Sequence, residues 1–100
     1  MNELMIRQAI DSHLGRSSKA YYNDFYIGIT DNIEECLFGF HKVPREGHWY
    51  IWRPADSAET ARKIERYYRV KGMDGETGDG DGDTRYVYCY EIKKGITKER

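Results

Sequence analysis

Nine tyrosines in a 100-residue chain raise the first chemical question, because phenols serve both cores and binding clefts. Each aromatic side chain buries about 150–250 Å², so a chain this short builds a core from few of them. One reading of the set is a β-rich core with tyrosine hydroxyls at its edge. The other is a tyrosine-lined cleft for a base, a phosphate or a small ligand. Strand alternation over Arg85–Ile92 sets Tyr86, Tyr88 and Tyr90 on one face and Val87, Cys89 and Glu91 on the other. A second set lies in Ser57–Val70, where helical spacing puts Ala61, Ile64 and Tyr68 on one apolar stripe. Glu65 falls on the flank of that stripe, and Arg62, Arg66 and Arg69 share a separate face. A carboxylate beside an apolar stripe is either paired or pointed into a cleft. The first case is a Glu65–Arg69 pair at i, i+4, worth about 0.2–0.5 kcal/mol; the second is a functional acid.

Other reactive types carry less. His13, His41 and His48 have no shared ligand spacing, and an isolated histidine is commonly a structural residue. Cys36 and Cys89 are too few for a disulfide scaffold and lack metal-type spacing, so both are expected as reduced thiols. Cys36 near a helix start is a possible nucleophile, but no cysteine-hydrolase signature surrounds it. There is no GxGxxG and no phosphate-cradling P-loop.

The formal net charge of −1 excludes a strongly cationic nucleic-acid binder of the simple kind. It also hides an asymmetry. Asp74–Asp83 (DGETGDGDGD) holds five of the 17 acids and no Lys or Arg, so the other 12 face 16 basic residues. The body is mildly basic and the acidity sits in one glycine-rich loop, expected to be the least ordered internal segment. Asp79, Asp81 and Asp83 suggest a calcium loop, which requires glycine at its sixth position and glutamate at its twelfth. Those positions are Thr84 and Tyr90, so the pattern fails. A solvated turn remains, with opportunistic cation binding by the three carboxylates as the alternative.

The elements that must position these residues follow from periodicity and punctuation. Leu4, Met5, Ile6, Ala9, Ile10 and Leu14 predict a helix after Asn2, stopped at Gly15. Asp24–Thr30 (DFYIGIT), dense in aromatic and β-branched residues, predicts a strand. Asp31 or Asn32 caps a short helix over Ile33–Phe40. Trp49–Arg53 reads as a strand closed by Pro54. Asp56-Ser57-Ala58-Glu59 resembles a capping box opening the long helix Ser57–Val70, which Lys71–Gly72 ends. Arg85–Ile92 is a third strand, and Lys93–Arg100 a charged tail. The result is an α+β fold, a small three-stranded antiparallel sheet with helices packed on it, in a single domain over 1–100.

One stretch resembles a known family. Phe25-Tyr26-Ile27-Gly28-Ile29-Thr30, followed by a capped helix and His41, is similar to the second half of the GIY-YIG nuclease signature. The later order fits too, with a strand containing Trp49–Trp52 and then a helix bearing Glu65. The resemblance covers about Asp24–Gly72. It implies metal-assisted hydrolysis of a phosphodiester, with Mg²⁺ or Mn²⁺ as cofactor if the domain is catalytic. It also implies catalytic roles for Tyr26 and His41, and Glu65 as metal ligand.

The chain departs from that pattern in two places. No GIY strand precedes Tyr26, and Glu35-Cys36 stands where the family's helix arginine belongs. Losing that cation removes stabilisation of the transition state, about 10²–10³ in rate by analogy with lost oxyanion donors. Arg53 or Arg62 is the substitute, with Arg62 preferred, or the site no longer cleaves. Arg85–Ile92, placed beside the YIG-like strand, would replace the missing strand and supply a sheet edge and a tyrosine. The expectation is a GIY-YIG-like domain with an eroded active site. Its function would be non-catalytic binding of nucleic acid, nucleotide or protein through Tyr88, Arg66 and Arg69. A divalent-metal-dependent DNA endonuclease is the alternative, and convergence of Tyr26, Glu65 and an arginine would discriminate them. The longest apolar runs are too short to span a bilayer and the first residues do not resemble a signal peptide, so a cytoplasmic protein with no membrane partner is expected.

Overall fold

Alternating side chains on three short strands force two separate cores, and the fold is arranged to cover both. In the computed structural model, which describes residues 2–17, 21–75 and 85–99, the strands are β1 (Phe25–Thr30), β2 (Tyr50–Pro54) and β3 (Tyr86–Glu91). Both pairings are antiparallel and the order is β1-β3-β2, so the last strand in sequence is the central one. Phe25, Ile27, Ile51, Val87 and Cys89 point to one face, where α1 (Glu3–Leu14) and α2 (Ala58–Val70) cover them with Ile6, Ile10, Ala61, Ile64 and Tyr68. Tyr26, Tyr88 and Tyr90 point to the other, packed with Ile33, Leu37 and Val43. That second face is covered by the short helix Glu34–Phe40. The architecture is the α+β fold that the sequence predicts.

Local chemistry explains the boundaries. Asn2 accepts a hydrogen bond from the Met5 amide and so caps α1. Asn32, not Asp31, caps the short helix, its Oδ1 accepting from the Glu35 amide at 3.1 Å. That helix is wide-turned: the His41 amide donates to the Cys36 carbonyl, five residues back. At α2 the cap is Ser57, whose Oγ accepts from the Thr60 amide at 3.1 Å, one residue later than the Asp56–Glu59 box predicts. Gly72, at φ +121°, takes the left-handed turn that ends the segment after α2.

β2 begins and ends one residue later than its hydrophobic pattern suggests, because β3 sets its frame. The Glu91 amide donates to the Trp49 carbonyl and the Ala55 amide to the Arg85 carbonyl. Odd-numbered residues of β2 therefore face β3 for bonding. Pro54 occupies an even position, where its missing N–H costs no ladder bond. On the far side, Asp74 runs parallel to β1: the Ile27 amide donates to the Asp74 carbonyl, and the Asp74 amide to the Phe25 carbonyl. This strap covers part of an open sheet edge that would otherwise invite pairing.

The rewired arrangement expected from the sequence holds in its pairing, since β3 lies directly beside the YIG-like strand. Its expected place at the sheet edge does not. Both of its ladders are used, and Val87 to Tyr90 are all buried. Most of the acidic loop, and with it the expectations for its order and its three-carboxylate cation site, lies outside the described residues. Among the described residues, no helix is long and apolar enough to cross a membrane.

Candidate functional site

Four tyrosine-face residues form one buried cluster. Tyr26, His41, Tyr88 and Tyr90 are each at most 3% exposed. The Tyr26 ring is tilted on His41 at 4.8 Å and stacked near Tyr90 at 5.2 Å. Hydrogen bonds then run through the cluster in one direction. The Lys98 carbonyl lies 2.6 Å from His41 Nδ1, and a carbonyl only accepts, so Nδ1 carries the ring proton. Nε2 therefore accepts, and the Tyr88 hydroxyl donates to it at 2.8 Å. Tyr88 in turn accepts from the Cys36 thiol at 3.3 Å, and the Tyr90 hydroxyl donates to Glu99 at 2.9 Å. Cys36 thus stands at the resemblance's arginine position as a donor to a phenol.

The covering tail completes this cluster. The Lys98 amide donates to the His41 carbonyl at 2.8 Å, so chain segments 57 residues apart are tied from both sides of His41. The sequence predicts only a charged tail over Lys93–Arg100, and nothing in its composition separates a strap from a solvated end. Burial pushes the Tyr88 phenol far above its ordinary range, with Cys36 adding to the effect. Burial also raises Tyr90, and its bond to Glu99 adds to that. Both phenols are consequently donors held protonated, and poor acceptors of a proton from water.

The α2 residues gather on the other side of the sheet. Glu65 is 5% exposed, and Arg69 Nη1 approaches its Oε1 at 3.8 Å. The i, i+4 pair expected from spacing is present, with its acid buried rather than on a solvated surface. Arg62 and Arg69 are half-buried and Arg66 is exposed. Arg66 and Arg69 line an open groove of about 340 Å³ with Val70, Met73, Asp74 and Gly75. The groove is tight at Gly75, where a Cβ would lie 3.0 Å from Arg69 Cδ. Asp74 is the element common to both sides, since it shares this groove and sits beside Tyr26 in the strap on β1.

The structure therefore brings Tyr26, His41 and Tyr88 together, and separately Glu65, Arg66 and Arg69. Arg62 lies on the same helix as the second group. Arg53, the other cation considered as a substitute, donates to the Trp52 carbonyl at 2.7 Å. His13 and His48 have structural partners, the carbonyls of Tyr50 and Glu91. Among the described residues no group of three His, Cys, Asp or Glu side chains is placed to hold a metal ion. Glu65 is the carboxylate to which the resemblance assigns Mg²⁺ or Mn²⁺, and Arg69 already neutralises it in part. In comparisons with protein-family models, curated proteins and solved structures, nothing matches this chain.

Proposed function

We propose that this chain is a non-catalytic GIY-YIG-like module that binds nucleic acid through the arginine edge of α2. The observation that carries the non-catalytic part is the Cys36–Tyr88–His41 chain. A nuclease of the kind resembled needs a cation near the scissile phosphate and a phenol able to help deprotonate water. Here a thiol occupies the helix position, and the Tyr88 phenol donates its proton into a buried histidine. The binding part rests on Arg62, Arg66 and Arg69 along one helix, the last two lining an open groove where phosphate contacts could form.

Fluorescence anisotropy with labelled single-stranded, duplex and branched DNA tests it across a salt series. Three arginine–phosphate contacts predict a log Kd against log salt slope of magnitude about 2–3. Arg66→Glu should weaken binding about tenfold and reduce that slope by about one. Salt-insensitive binding, or binding indifferent to Arg66→Glu, would move the function to a nucleotide or protein partner. The same DNAs incubated with Mg²⁺ or Mn²⁺ should stay intact. Cleavage that disappears in Glu65→Gln would instead establish the divalent-metal-dependent nuclease, the reading favoured by a carboxylate kept this buried on a helix.

A further inference from the structure

On the tyrosine face, the short helix meets β2 where Phe38 packs on Tyr50, and an open groove of about 450 Å³ remains beside that contact. Its apolar walls are Phe38 from the helix, Tyr50 and Trp52 from β2, and Tyr86 from β3. These rings meet edge to face in two pairs, Phe38–Tyr50 at 84° and Trp52–Tyr86 at 75°. Four rings therefore line one groove with their planes set at steep angles within each pair. Trp52 is 39% exposed, a large share for so large an apolar side chain on a sheet.

The charges at this groove favour a cation. Asp31 and Glu34 line it, against Arg45 alone. Arg45 forms a two-pronged pair with Glu34, so that couple is neutral and Asp31 leaves the lining negative. A cation already rests on one wall: the Arg45 guanidinium lies 4.1 Å over the Phe38 ring. The Tyr50 hydroxyl donates to the Arg45 carbonyl at 3.0 Å and fixes that wall. With Glu34 engaged and Asp31 exposed at the rim, the groove offers ring faces and diffuse negative charge rather than a buried carboxylate fork. That combination suits a cation with no N–H to satisfy. A phosphate-bearing ligand would meet the carboxylates instead.

We propose that the groove between the Glu34–Phe40 helix and β2 binds a quaternary ammonium group, as in choline-type compounds or a trimethylated lysine side chain. This site is separate from the α2 edge and does not depend on nucleic-acid binding. The test follows the Trp52 indole N–H resonance while choline is titrated into the whole chain, in parallel with its uncharged isostere 3,3-dimethylbutanol. Choline should shift the resonance saturably with a Kd of about 1–10 mM, and the isostere should bind at least about tenfold more weakly. Trp52→Ala should abolish the site as read from the Tyr86 ring resonances. Asp31→Asn, an exposed change that leaves the fold intact, should weaken choline binding about two- to fivefold.

A trimethyllysine peptide and its unmethylated counterpart separate the two sources. Tighter binding of the methylated peptide than of choline assigns the group to a protein partner, and the reverse order to a free small molecule; either supports the site. Equal binding of choline and its isostere would overturn the proposal in favour of a plain apolar groove. A Trp52 shift with adenosine monophosphate and none with choline would overturn it in favour of base stacking. No saturable shift with choline up to about 50 mM would overturn it outright.

Discussion

Gly28→Ala should lower unfolding stability by about 2–4 kcal/mol, a large change for one methyl group on a strand. Gly28 lies directly opposite Tyr88, whose side chain crosses β1 at that point. A Cβ on residue 28 would stand 2.4 Å from both Cζ and Oη of Tyr88. On a flexible surface side chain such a clash relaxes cheaply, but Tyr88 has nowhere to go. Its ring is stacked with Tyr26 at 14° and with Tyr90 at 8°, and its hydroxyl is held by Cys36 and His41. Moving it gives up those bonds and opens a gap beneath the short helix. Urea denaturation measures the loss, and a cycle with Tyr88→Leu identifies its origin. Because leucine does not reach Gly28, the double variant should be at least about 1 kcal/mol more stable than additivity predicts. A Gly28→Ala cost below about 0.5 kcal/mol would mean that Tyr88 does not cross the strand there.

The same pair shows how far the sequence could be read. Alternation over Tyr86, Tyr88 and Tyr90 placed three phenols on one face, and the FYIGIT run placed Tyr26 in a neighbouring strand. Period-2 patterning is a local signal, and it was sufficient for the elements and for the antiparallel sheet. Which strand is central is not local. β3 takes that position because its residues are apolar or aromatic on both faces, a feature visible in the sequence but shared by β1. His41 illustrates the other limit. The resemblance singles it out as a catalytic histidine, yet its partners include Tyr88 and Tyr90 of β3 and the tail at Lys98, all far from it in the chain. No spacing rule encodes a contact of that separation. Glu65 was the opposite case. Its stripe position and its i, i+4 partner are legible from helical periodicity, and the structure adds the depth of its burial.

Alkaline pH should unfold this domain sharply, within about pH 11–12, through groups that the fold keeps from ionising. Burial raises the phenols of Tyr68, Tyr88 and Tyr90 well above their usual value near 10, and the Cys89 thiol above its value near 9. Asp11 adds to the effect at Tyr68, since the phenol donates to its carboxylate at 2.6 Å. The sign follows directly. Above pH 10 the unfolded chain releases these protons while the folded chain retains them, so stability falls as pH rises. Below about pH 8 neither state releases them and the contribution is constant. Each retained proton costs about 1.4 kcal/mol per pH unit, so three phenols and a thiol together give a slope of roughly 5–6 kcal/mol per unit once the unfolded chain has released all four. A stability of about 5–10 kcal/mol is exhausted within one to two units. Tyrosinate absorbance and circular dichroism, followed together against pH, should show a fraction of the nine tyrosines ionising only as the ellipticity collapses. Tyr68→Phe should remove about one proton from that cooperative step, and so flatten the pH dependence even though it lowers stability at neutral pH. Smooth ionisation of all nine tyrosines with the ellipticity intact would show that these phenols are open to solvent, and the Cys36–Tyr88–His41 chain would fall with that result.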